Sequence, residues 1–130
     1  MTALVLIAQL VLGVYFLYNA YSHLIKNRAG LTGYAQMRGV PAPGPAVVVT
    51  GFMLLGAGLG LLLGYQVRIG SWLAIIFLVM AAFLVHHFWT DEGMERVGQM
   101  AHFGKNLALA AALLLVTYLS NDVWVIRLGP

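Results

Sequence analysis

A chain of 130 residues that is 62% hydrophobic and 8% charged, with a mean hydropathy of +0.89, cannot cover a water-facing surface, since a soluble domain is nearer half apolar and a quarter charged. The length supports one compact domain. With no cysteine and a net charge of +3 without any run of like charge, disulfides, thiolate catalysis, iron–sulfur clusters, thiolate zinc sites and a nucleic-acid footprint are all excluded.

The sequence predicts an all-α integral membrane protein, a four-helix bundle forming one domain over residues 1–130, because about 20 apolar residues suffice for each span. Span one runs from about Ala3 to Ile25 and stops at Lys26-Asn27-Arg28. Its beginning, MTALVLIAQLVLGVYFLY, has neither a positive n-region nor a small-residue cleavage site, so it is expected to be a retained helix rather than a signal peptide. Loop one, KNRAGLTGYAQMRGVPAPG, has room for a partial helix before Pro41 and Pro43 stiffen the approach to the next span. Span two runs from about Pro45 to Leu63, with proline suited to the first turn. It carries Gly56, Gly60 and Gly64 at intervals of four, a flat stripe along which another backbone can approach closely.

After the tight turn GYQVR, span three runs from about Ile69 to Trp89. On a continuous helix Trp72 and Trp89 would lie about 25 Å apart, close to the thickness of the hydrocarbon slab. The segment TDEGMERVGQMA comes next, where Thr90 or Asp91 is expected to cap a helix that either runs into span four or breaks at Gly98. Span four runs from about His102 to Leu119 and repeats the small-residue device with Gly104, Ala108 and Ala112. Both stripes are expected to build the bundle, although a homo-oligomer would use the same chemistry. Loops one and three share a face bearing Lys26, Arg28, Arg38, Arg96 and Lys105, against Arg68 and Arg127 on the other. By the positive-inside rule, loops 26–44 and 90–101 are expected in the cytoplasm of a bacterial or archaeal cell with this multi-pass protein in its inner membrane.

All four histidines fall on that same face. Asn19, Ser22, His23 and Lys26 follow helical spacing at the end of span one; His86 and His87 end span three; Gln99, His102, Lys105 and Asn106 open span four. Polar residues at span ends ordinarily reach for the headgroups, yet this many ionisable groups at one end mark a site. The expected ligand-binding set is Asn19, His23, His86, His87, Trp89, Gln99, His102, Lys105 and Asn106, around a polar mouth between spans one, three and four. Only one of two adjacent helical histidines is expected to face the bundle axis. Histidine with lysine, tyrosine and asparagine suits the carbonyl oxygens of a quinone and proton exchange near neutral pH. Metal ligation is not expected, because no HxxxH or ExxH pair is present. No nucleophile–base pair stands out, so no catalytic residue is assigned.

Four stretches resemble the DoxX family of small membrane proteins. GVYFLYNAYSHL is similar to its opening pattern of Gly13, Phe16 and Ala20, then a basic residue before Leu24. GYAQMRGVPAP resembles its aromatic turn, and GFMLLGAGLGLLLGYQVRIGS its glycine-rich second span with a short Arg-containing turn. Most specific is HHFW, a polar loop, then QMAHFGKNLALAAALLL, with His87, Phe88, Trp89, Gln99, His102, Phe103, Lys105 and Asn106 at the motif positions. The resemblance covers nearly the whole length. It implies a four-span bundle and association with redox systems, among them a membrane thiosulfate:quinone oxidoreductase. This chain departs in having His23 where many relatives have lysine, and apolar Phe52, Met53 and Leu54 where many place an acid.

Three functions compete. One is a redox-associated subunit, dependent on a bound cofactor or a partner protein for electrons, that binds a quinone or similar lipophilic molecule. Another is a scaffold that oligomerises through its glycine stripes. The third is a small-molecule or proton-linked carrier, although the sequence lacks the inverted repeats, broken midplane helices and midplane acid of that class. An isolated chain is not expected to be a self-sufficient enzyme, because no side chain is redox-active.

Overall fold

The computed structural model describes residues 1–119 and 121–129. Its helices are α1 (Thr2–Tyr21), prolonged by a π turn over Ser22–Lys26, then α2 (Arg28–Met37), α3 (Pro43–Leu63), α4 (Val67–Leu84) and α5 (Gly93–Tyr118). There is no strand among the described residues. Four segments are long and apolar enough to cross a membrane: Thr2–Lys26, Pro43–Leu63, Val67–Thr90 and Gly93–Tyr118. The expected all-α membrane bundle is what forms. Helix α2 is the partial helix of loop one, and at ten residues it is too short to span.

Two boundaries differ from those expected from the apolar runs. Span three stops being α-helical at Leu84, because Val85 N–H and His86 N–H both donate back to Ala81 O at 3.0 Å and close the helix. His86 and His87 therefore lie in irregular backbone, ahead of a short 3-10 turn over Phe88–Thr90, and Trp72 and Trp89 do not share one helix. Span four begins at Gly93 rather than near His102, and Gly98 does not interrupt it. Neither Thr90 nor Asp91 caps it. The N-cap is Glu92 without a side-chain hydrogen bond, and the Asp91 carboxylate is committed to Arg38.

Helix α1 packs on α3, α3 on α4, and α4 on α5. One core joins all four, with Phe16 and Ala20 from α1, Leu54, Ala57 and Leu61 from α3, Ala74 and Leu78 from α4, and Ala110 and Leu113 from α5. Gly58 sits against α1 so tightly that a Cβ there would lie 2.8 Å from the Leu17 backbone nitrogen. On the other flank of α3, a Cβ on Gly60 would lie 3.4 Å from Gly70 Cα, and one on Gly56 would lie 2.9 Å from Leu73 Cδ1. This close approach stands in for the hydrophobic drive that lipid cannot supply. Gly64 leaves the expected stripe: it ends α3 in the left-handed region, at φ 59°, which favours glycine. The α5 stripe does not build the bundle. Gly104, Ala108 and Ala112 are exposed, and a Cβ on Gly104 meets no atom within 4 Å among the described residues.

At the end of the bundle away from the histidines, the chain folds back after α5 and buries Trp124. Gln9, fully buried in α1, clamps this segment. Its Nε2 donates to Leu62 O at 3.0 Å and Ile126 O at 2.6 Å, while its Oε1 accepts from Val125 N–H at 3.2 Å and Ile126 N–H at 3.1 Å. Leu128 N–H donates to Leu63 O at 2.9 Å. A buried glutamine can form about four hydrogen bonds, and this one uses four.

Candidate functional site

The α1 helix gains a residue per turn near its end, where Asn27 N–H reaches five residues back to Ser22 O at 2.9 Å. A π turn of this kind rotates the residues after it about the helix axis and is frequent at functional sites. It splits the set predicted from regular spacing. His23 turns towards α3, where its Nδ1 lies 3.1 Å from Thr50 Oγ1 and 3.3 Å from Val47 O. Lys26 instead donates to Tyr18 Oη at 3.2 Å on the exposed side, and Asn19 Nδ2 donates to Tyr15 O at 2.8 Å within its own helix.

Across from His23 lies His86. Its Nδ1 is 2.8 Å from Gln99 Oε1, and Gln99 Nε2 donates to Tyr34 Oη at 2.5 Å. One hydrogen-bonded chain thus ties the α4–α5 connection to α5 and α2. The His86 ring also stacks on His102, with centroids 5.1 Å apart and planes 27° from parallel.

Between these groups is a cavity of about 190 Å³. His23, Tyr34, Thr50 and His86 interrupt an apolar wall in which Leu31, Val47, Phe77, Met80, Leu84 and Val85 are prominent. For scale, an apolar cavity of roughly 150 Å³ admits a benzene ring, whereas pockets for drug-sized ligands run to about 300 Å³ or more. The space fits one substituted six-membered ring, with any long tail left outside.

The predicted set is therefore only partly gathered. His23 and His86 line the cavity, and Gln99 braces His86 from behind. His102 is exposed behind the same ring. His87 does not line the cavity; its Nδ1 lies 3.2 Å from Leu84 O. Trp89 joins an aromatic cluster with Phe83, Phe88 and Phe103. Lys105 is exposed and Asn106 is buried, and neither lines the cavity. The expected mouth between spans one, three and four is displaced: α1, α2, α3 and α4 frame it, and α5 acts only through Gln99 and His102. The early end of α4 is the reason, since it frees the backbone that carries His86 to turn inward.

One wall is held by residues that periodicity did not single out. Arg38 grips Asp91 with two bonds, Nη1 to Oδ1 at 2.8 Å and Nη2 to Oδ2 at 2.9 Å, while its Nε donates to Val85 O at 2.6 Å. Only 8% and 9% of the two side chains is exposed. Glu95 stands 3.7 Å away as a looser partner. The hydrogen bond to Arg38 holds the Asp91 carboxyl below its ordinary pKa, and the same bond raises the guanidinium further. Opposite charges in two loops assigned to one face were the available signal. Tyr34 and Thr50 carried none, because single hydroxyl groups in loop one and span two are unremarkable there.

The family model described as DoxX matches residues 4–87, more than half of the chain. The match ends at His87, so Gln99, His102, Phe103, Lys105 and Asn106 lie beyond it. The chain is similar to the "Inner membrane protein YphA" of Escherichia coli (strain K12), with 30% identity over 87 residues. That alignment covers 67% of this chain and 62% of the relative, less than two thirds of the relative's length. No solved structure matches.

Proposed function

The chain belongs to the DoxX family of membrane proteins, and on that premise we propose that it is a redox-associated membrane subunit whose cavity binds the ring of a quinone or similar lipophilic molecule. The observation that carries this reading is an apolar cavity of ring size with two imidazoles and a phenol on its wall. Apolar walls hold the ring, and the few polar groups orient its oxygens. Imidazole near neutral pH exchanges protons with such oxygens. Electrons come from a partner protein or a bound cofactor, because no side chain here transfers them. Loops 26–44 and 90–101, and with them the cavity, face the cytoplasm of a bacterial or archaeal cell in this reading, in keeping with the basic residues on that side.

Extraction of lipids bound to the purified protein tests it. A co-purifying quinone should be lost in His23→Leu and in His86→Leu, and retained in His87→Ala, whose ring does not line the cavity. Retention in all three, or no quinone in either redox state with the native chain, would overturn the assignment.

A second reading rests on the outward α5 stripe. Gly104, Ala108 and Ala112 leave a flat exposed strip suited to a second copy or another membrane protein. Ala108→Leu should then break an association detectable by cross-linking in membranes while leaving the cavity unchanged.

A further inference from the structure

Both cavity histidines have their Nδ1 atoms committed to protein acceptors. Thr50 Oγ1 gives its single hydrogen to backbone, towards Ala46 O at 2.7 Å and Val47 O at 3.1 Å. It therefore meets His23 with a lone pair, as does Val47 O, and the hydrogen between them sits on His23 Nδ1. At His86 the neighbour is Gln99 Oε1, an acceptor only, so Nδ1 again holds the hydrogen. Each neutral ring then has one nitrogen left for a ligand, Nε2, and that nitrogen is an acceptor. Tyr34 has the opposite character. Its oxygen already accepts from Gln99 Nε2, so its own O–H is free to be donated.

From this pattern we infer that the cavity selects the dihydroxy, reduced form of the ring, a quinol, over the matching quinone. The inference rests on the ring-binding reading above and adds the redox state. A quinol brings two O–H donors for two Nε2 acceptors, and one of its oxygens accepts from Tyr34. A quinone brings acceptors alone: Tyr34 satisfies one, and both imidazole lone pairs stay unpaired or face carbonyl oxygen. Unpaired polar groups in a largely apolar cavity are what a ligand's affinity pays for most heavily.

The size of the effect comes from two hydrogen bonds gained in one redox state, about tenfold or more in affinity. Tenfold tighter binding of the reduced form raises the midpoint potential of the bound two-electron couple by about 30 mV. The site thereby collects quinol from the bilayer and makes the bound quinol harder to oxidise.

The experiment is anaerobic equilibrium dialysis of the full chain in lipid nanodiscs, with a decyl-substituted benzoquinol and its benzoquinone as probes. The expected result is at least about tenfold tighter binding of the quinol. Gln99→Met removes the acceptor that fixes the His86 hydrogen and should lower this ratio. Tyr34→Phe removes a donor that both redox forms use, and should weaken both probes while leaving the ratio nearly unchanged. Equal binding, or tighter binding of the quinone, would overturn the inference and leave the ring-binding reading standing. A ratio unmoved in Gln99→Met would overturn the tautomer assignment on which it depends. Binding of neither probe would overturn both.

Discussion

Gly51→Ala joins helix packing to the cavity in one substitution. A Cβ at Gly51 would lie 2.7 Å from Leu24 Cγ and Cδ2 and 3.0 Å from His23 Cβ. Leu24 can yield by changing rotamer, but His23 Cβ moves only with the backbone. Carbon atoms settle near 3.5–4.0 Å, so the end of α1 must retreat by about 0.5–1 Å. The bonds from His23 Nδ1, now 3.1 and 3.3 Å, then pass beyond hydrogen-bond reach. Overpacking of this kind costs about 1–3 kcal/mol of stability. Loss of an oriented His23 costs a bound ring about one hydrogen bond, roughly 1 kcal/mol or fivefold in affinity. Two partners separate these effects. Gly13→Ala places a Cβ 2.8 Å from Leu62 Cα, about 15 Å along α1 from His23, and should lower stability without weakening ligand binding. Gly104→Ala enters open space and should be neutral, or stabilising by up to about 1 kcal/mol. Thermal unfolding in detergent and ring binding, measured on all three, check the scheme. Undiminished binding in Gly51→Ala, or an equal loss in Gly13→Ala, would refute the proposed coupling.

Other outcomes rest on named contacts. Arg38→Lys cannot reproduce the paired grip on Asp91 together with the bond to Val85 O, so hydrogen exchange over residues 85–91 should quicken while the far end of the bundle is unaffected. The folded-state pKa of Asp91 lies below its ordinary value of 3.8. Its stabilisation is therefore complete above about pH 4 and lost as pH falls through the lowered value. Asp91→Asn should flatten that acid limb in unfolding midpoints measured from about pH 2.5 to 5. Gln9→Leu orphans four backbone groups and should cost about 2–4 kcal/mol. In a Trp72→Phe, Trp89→Phe background, a red shift of Trp124 emission would report release of the terminal segment, and an unshifted spectrum would count against the clamp. For sidedness, the chain has no cysteine of its own, so Gly93→Cys should resist an impermeant thiol reagent in intact cells and react in inverted vesicles.

Apolar run length was enough to find four spans, because hydrocarbon enforces helices wherever about 20 such residues occur. It could not place the end of α4. The stretch Phe83–Val85 is as apolar as the helix before it, and the break consists of a backbone pairing at Ala81 with no glycine or proline to announce it. Regular helical spacing also misplaced Lys26 relative to His23, since one π turn shifts the phase of every later residue. The bond between Arg38 and Asp91 spans 53 positions and two loops, beyond the reach of periodicity. Gln9 is different. A lone amide in MTALVLIAQLVLGVYFLY needed a partner in the finished fold, and its isolation was a visible signal of one.

The Gln9 clamp also bears on how the protein is made. Its partners at positions 125 and 126 lie 116 and 117 residues downstream. Leu62 O can take one Gln9 hydrogen once α3 is made, but the Oε1 atom and the second N–H hydrogen must wait through the synthesis of α4 and α5. Insertion of α1 can be early, but its final seating is among the last events of biogenesis. Until then the Gln9 amide must borrow partners from water, from lipid headgroups or from the insertion machinery. A chain stalled before residue 124 would hold four assembled spans whose far end is still open.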